Sequence, residues 1–89
     1  MNQSIEKLVG REVVLDAASL YVFLGRVESF DHQYVVLTDA DVHDLRDATT
    51  TRGRYVIEAR LHGIRPNRKK VFVDLSQIVS ISPLEDVIE

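Results

Sequence analysis

The sequence predicts a mainly β fold: a small, strongly curved antiparallel sheet, opened by a short helix and interrupted by a helical insertion. Three observations predict it. Residues 20–40 hold two runs rich in β-branched and aromatic side chains, joined by a polar turn at Phe30-Asp31-His32-Gln33, which is the pattern of a hairpin. Gly25 lies inside the first run, where a missing side chain marks a sharp bend, a bulge or the close approach of another backbone. Near the end, Val71, Val73 and Leu75 alternate, and Ile78 and Ile81 repeat the apolar signal before Pro83 stops it.

Taken in order, the chain opens with Ile5, Leu8 and Val9 on one face of a short helix over 3–9, with Ser4 or Asn2 as its cap and Gly10 at its end. One or two turns cannot stand alone in water, so this helix must pack on the sheet. A first strand follows over 11–16, with Val13 and Leu15 facing inward and Glu12, Val14 and Asp16 on the other face. The hairpin strands are expected over 20–29 and 33–39. Beyond Ala40 the alternation fails. Residues 41–69 read as an insertion, acidic over 41–47, with a helix over 51–62. Thr49, Thr50 and Thr51 supply caps; Tyr55, Val56 and Ala59 share one stripe, Ile57 and Leu61 another; Gly63, Ile64 and Pro66 end the helix. The rival reading of this region is two extended strands that lengthen the hairpin. Strands over 70–75 and 77–82 complete the sheet, and Leu84, Val87 and Ile88 are apolar enough to cover it or a neighbouring subunit.

Eighty-nine residues, 45% apolar and 28% charged, suit a single globular domain over 1–89. The absence of cysteine excludes disulfide scaffolds, cysteine nucleophiles and thiolate metal sites. With neither a signal-peptide core nor a membrane-length apolar run, a soluble cytoplasmic protein with no membrane partner is expected. The net charge of −3 hides an asymmetry: Arg52, Arg54, Arg60, Arg65, Arg68, Lys69 and Lys70 face one acid, Glu58, within residues 52–70. That segment carries +6 and the remainder −9. Such a segment attracts phosphate, meets an acidic surface on an identical neighbour, or is simply solvated.

Local sequence resembles the Sm and Sm-like proteins, in the manner of a divergent bacterial-type member. Leu8-Val9-Gly10-Arg11-Glu12-Val13-Val14 is similar to the family's helix end and first strand, and Tyr21 with Gly25 to the aromatic and glycine of its second. Residues 30–40, from Phe30-Asp31 to Asp39-Ala40, resemble the first Sm motif: a hydrophobic residue, Asp, two variable positions, Met or Phe, Asn, then an apolar strand ending near Asp-Ala. Val71-Phe72-Val73 and Gln77-Ile78-Val79-Ser80-Ile81 resemble the second motif. The resemblance spans about two thirds of the chain. It implies a small, partly open SH3-like barrel whose fourth and fifth strands pair between subunits, through Val71, Phe72, Val73, Ile78, Val79 and Ile81, into a homo-oligomeric ring of six or seven.

In that family an Asn of the first motif and an Arg-Gly pair of the second read a base, usually uracil. Here Val35 stands at the Asn position and Asp74-Leu75 at the Arg-Gly pair, so the resemblance implies a degenerate uridine pocket. Asp31 and Tyr34 do match, and Tyr34 retains a ring on which a base can stack. RNA contact, where it occurs, is therefore expected through Tyr34 and the basic residues Arg52, Arg54, Arg60, Arg65, Arg68, Lys69 and Lys70. His43 with Asp39, Asp41, Asp44 and Asp47 has the residue types of a divalent metal site without a diagnostic spacing, and no metal or cofactor is expected. No nucleophile motif or glycine-rich phosphate loop points to catalysis. The expected function is thus an Sm-like ring that contacts RNA without sequence preference. The alternative is an oligomeric scaffold for an unknown protein partner, with no nucleic-acid binding and likewise no enzymatic turnover.

Overall fold

A computed structural model describes residues 5–47 and 49–89. Five antiparallel strands form one sheet: β1 (Glu12–Ala17), β2 (Tyr21–Phe30), β3 (Tyr34–Asp44), β4 (Arg68–Asp74) and β5 (Ile78–Pro83). Their order across the sheet is β4-β3-β2-β1-β5. Only Leu75–Gln77, one 3-10 turn, joins β4 to β5. In a flat sheet these outermost strands would lie four spacings apart, about 19 Å. Four peptide steps reach at most ~14 Å. The sheet must therefore curl, and it does so around a core of Val13, Leu15, Val27, Val35, Leu37, Ala40 and Val73, closed at one end by Leu8.

The bend is made where Gly25 predicted it. Registers shift between Leu24 and Arg26 and between Val27 and Ser29. A Cβ on Gly25 would lie 3.1 Å from Ala40 Cβ and 3.2 Å from both Ala40 Cα and Leu37 Cβ. Opposite it, Asp39 takes φ of 48°, a left-handed conformation that Asp tolerates better than most residues. The glycine therefore serves both a bulge and a close approach of two backbones.

This bulge also explains why the third strand is longer than expected. Read as ending at 39, β3 continues to Asp44, pairing Asp41 with Leu24 and His43 with Val22. The extra residue at the bulge changes the parity of the strand: Val35 and Leu37 face the barrel before it, Ala40 after it. Alternation counted straight through therefore fails at residue 41. The insertion begins only after Asp44, and where the rival reading places two extended strands the chain forms a helix. β4 begins two residues earlier than expected, at Arg68, and β5 runs from Ile78 to Pro83.

The α-helix α1 (Arg52–His62) lies between β3 and β4. The Thr51 hydroxyl accepts from the N–H of Arg54 at 3.2 Å, and Gly63, at φ of 92°, donates its N–H to Ala59 O at 2.8 Å. Val56 and Ala59 pack with Leu84 on Val14, Val22 and Leu24, a second core on the outer face of the sheet, with Ile64 and Val87 at its margin. Val14, expected on an outward face, is consequently buried at 3% exposure, because helix and C-terminal segment cover that face. Ile88 remains 89% exposed and covers nothing within the chain. At the N-terminus the cap candidates Asn2 and Ser4 lie outside the described residues. Ile5 and Glu6 are helical, and the N–H groups of Leu8 and Val9 donate to the carbonyls of Ile5 and Glu6.

Candidate nucleic-acid interface

The turn between β2 and β3 is built by one carboxylate. Asp31 Oδ1 accepts from the backbone N–H groups of Gln33 and Tyr34, each at 2.7 Å, and the Asp31 N–H donates to Tyr34 O at 2.9 Å. The bonds from Tyr34 and then Gln33 hold the Asp31 carboxyl below the ordinary carboxylate range. Leu75 N–H donates to Gln33 O at 2.8 Å, tying this turn to the link that follows β4. Asp74 faces Tyr34 in register, and its carboxylate accepts from Ser76 N–H at 2.9 Å. The Tyr34 ring meets Phe72 edge-on, centroids 6.1 Å apart, and Phe72 is 61% exposed. One corner of the barrel thus presents two aromatic rings beside an anion.

Val35, matched in sequence to the base-reading Asn, is fully buried in the barrel core. The surface position across from Asp74 belongs to Tyr34, because successive strand residues face opposite sides. Leu75 packs against the same core. The residues aligned with the family's base-reading positions are therefore two core side chains and one capping carboxylate.

The basic residues do not gather at this corner. Arg52 reaches Asp16 at 3.6 Å and Ser19 O at 3.2 Å; Arg54 lies 4.0 Å from Glu58, Arg60 3.8 Å from Glu89, and Lys70 3.1 Å from Glu28. Arg68 donates to Asn67 O at 3.0 Å, Lys69 is exposed, and Arg65 borders a cleft beneath α1. Lys70 pairs with Thr38, four residues along β3 from Tyr34, or roughly 13 Å. The seven cations divide between α1, the segment after it and the far end of β4. Arg65, Arg68 and Lys69 are the three without an ion pair among the described residues.

The six residues expected at subunit contacts lie on β4 and β5, the two edges of the sheet. Val73 is buried in the core; Val71, Ile78 and Ile81 pack partly against it. Phe72 and Val79 point away, 61% and 71% exposed.

Sequence reasoning missed the polar cluster that seats α1. Asp41, only 4% exposed, accepts from the Tyr55 hydroxyl and, at 3.2 Å, from Asn67 Nδ2. The Asn67 side chain also bonds both backbone groups of Val42, at 3.0 Å each, as a neighbouring strand would. His43 stacks on Tyr55 with centroids 3.9 Å apart. Burial and the Asp41 carboxylate raise the Tyr55 hydroxyl above its ordinary value. An Asn between a proline and a strand was the available signal. Of the acidic residues expected near His43, Asp41 bonds Tyr55 and Asn67, and Asp44 binds Arg46 at 2.7 Å, those bonds lowering its carboxyl to about 2. Among the described residues no group of three or more His, Asp and Glu side chains is placed to hold a metal ion.

No protein-family model matches the chain, and no curated protein matches it in sequence. Solved structures do. The Sm protein of Pyrococcus abyssii, solved in complex with a uridine heptamer, superposes with a TM-score of 0.64 at 19% identity, covering 92% of this chain and 94% of that one. The chain has the Sm fold. A heptameric archaeal Sm protein aligns with a TM-score of 0.61 at 18% identity over 91% of this chain and 96% of its own. An Sm-like protein of Archaeoglobus fulgidus gives 0.60 at 17% identity over 92% and 91%. The likeness to these structures thus extends over more than nine tenths of the chain. Among the described residues no helix is long and apolar enough to cross a membrane.

Proposed function

We propose that the chain is the subunit of a homo-oligomeric ring of six or seven copies, joined β4 edge to β5 edge, acting as a binding module without turnover. One observation carries this reading: among the described residues no strand pairs with the outer edge of β4 or of β5, and each edge exposes a large apolar side chain, Phe72 or Val79. Unpaired edges of this kind are templates for pairing with another chain. Two different edges make a head-to-tail contact, which closes into a ring when the rotation per subunit permits. RNA would then meet the ring through Tyr34 by stacking and through Arg65, Arg68 and Lys69 by charge. Its contact is sequence-tolerant, because Asp74 beside Tyr34 repels phosphate and Val35 offers nothing to a base.

A second reading, a ring that serves as a protein scaffold and binds no RNA, is favoured by the pairing of Arg52, Arg54, Arg60 and Lys70 with acids of their own chain. Fluorescence anisotropy of short U-rich, A-rich and mixed RNAs at low and near-physiological salt separates the two. Saturable binding at the higher salt supports the RNA-contacting ring; no binding at low salt leaves the scaffold. Charge reversal of Arg68, Lys69 and Lys70 should weaken RNA binding and flatten its salt dependence with oligomer mass unchanged.

A further inference from the structure

Three arginines from separate parts of the chain converge on one cleft, which Leu84 and Glu85, just after β5, also line. Arg11 precedes β1, Arg26 lies on β2 and Arg60 in the last turn of α1, and together they line a cleft of about 410 Å³. Only Arg60 belongs to the basic segment. Arg26 is held in place by donating Nη1 to Gly10 O at 2.7 Å. Gly10, at φ of 86°, takes the left-handed turn that carries this carbonyl.

The negative charge facing these arginines comes from exposed side chains. Glu85 bonds Arg11 with its side chain 71% exposed; Glu89 approaches Arg60 at 3.8 Å with 61% exposed; Glu12 stands 4.0 Å from Arg26. Exposed pairs of this sort contribute little and exchange readily with other anions. A guanidinium presents a planar fork that matches two oxygens of one anion, and three such forks around a single cleft suit a tetrahedral group with several oxygens better than a carboxylate. The volume falls in the range of small-ligand sites, roughly 300–1,000 Å³, so it admits more than the anion itself.

We propose that this cleft binds the phosphoryl group of a small phosphorylated ligand, with Glu85 and Glu89 of the C-terminal segment as internal competitors. The bound phosphoryl oxygens take the place of the two carboxylates at Arg11 and Arg60, while Arg26, anchored on Gly10, stays fixed. The site does not depend on the ring or on RNA contact.

The test is an NMR titration of the full chain at low salt with inorganic phosphate, adenosine 5′-monophosphate and adenosine. Phosphate and the nucleotide should each produce saturable shifts centred on Arg11, Arg26 and Arg60, and adenosine should produce none. Equal affinity for the two assigns recognition to the phosphoryl group alone; tighter binding of the nucleotide assigns the rest of the cleft to its nucleoside. The double variant Glu85→Gln, Glu89→Gln, which leaves the fold's cores untouched, should bind both about three- to tenfold more tightly. Arg11→Gln with Arg60→Gln should abolish saturation. Absence of saturation up to ~10 mM in both the native chain and the glutamate double variant, or adenosine shifts equal to those of its monophosphate, would overturn the proposal.

Discussion

Replacing Tyr55 by Phe removes one hydroxyl and leaves the ring stacked on His43 in place. That hydroxyl is the donor that ties α1 to the buried carboxylate of Asp41 on β3. Asp41 would retain only the 3.2 Å bond from Asn67, with one oxygen facing a cleft and no donor. Loss of a partly buried hydrogen bond to a charged group costs about 1.5–3 kcal/mol. In a domain of this size each kcal/mol moves the melting point by about 4–8 °C, so a fall of roughly 6–24 °C is expected in thermal unfolding followed by circular dichroism at fixed protein concentration. The variant should also behave differently in alkali. The Tyr55 hydroxyl titrates higher in the folded chain than its ordinary 10.0, chiefly through burial. Its contribution is therefore complete below pH 10 and declines as the pH rises toward the folded value, because unfolding then releases a proton. The Phe variant should lack that part of the alkaline decline. An unchanged melting point, together with unchanged hydrogen exchange at Val56 and Ala59, would refute the view that this bond seats the helix.

Three further predictions follow from the same packing. Gly25→Ala places a methyl group 3.1 Å from Ala40 Cβ, so overpacking of about 1–3 kcal/mol should outweigh an unfolded-state gain of about 0.4–1 kcal/mol; urea unfolding should show net loss, partly relieved by adding Ala40→Gly. Asn67→Ala removes the Asn67 bonds to Val42 N–H and C=O and leaves Asp41 with the Tyr55 hydroxyl alone, and should raise amide exchange at Val42 and destabilise by about 1–3 kcal/mol in the same assay. Asp44, held at about 2 by Arg46, contributes stability that is complete above its ordinary 3.8 and lost as pH falls through about 2; acid titration of Asp44→Asn should lack that component.

How much of this was legible depends on whether the signal is local. The hairpin, the bend at Gly25, the Thr51 cap and the Gly63 stop are set by residues next to one another, and each could be read from the chain. The end of β3 could not, because the bulge opposite Gly25 inverts the strand's parity and α1 then buries Asp41 on the outer face. Val14 looked exposed for the same reason: what covers it, Val56, Ala59 and Leu84, lies far along the chain. The basic segment looked like a patch because Asp16, Glu28 and Glu89, which meet Arg52, Lys70 and Arg60, are distant in sequence. Tyr34 is half-buried beside Phe72, and the strand register places Val35, which matched the base-reading Asn in sequence, in the core rather than beside it.

Assembly through the β4 and β5 edges is the central claim, and the mass of the purified protein in solution tests it most directly. Light scattering or native mass spectrometry should give six or seven copies of the 10.1 kDa chain, about 61 or 71 kDa, with Phe72→Glu falling to the monomer while keeping its secondary structure. A native chain that remains at 10.1 kDa at high concentration would contradict the account.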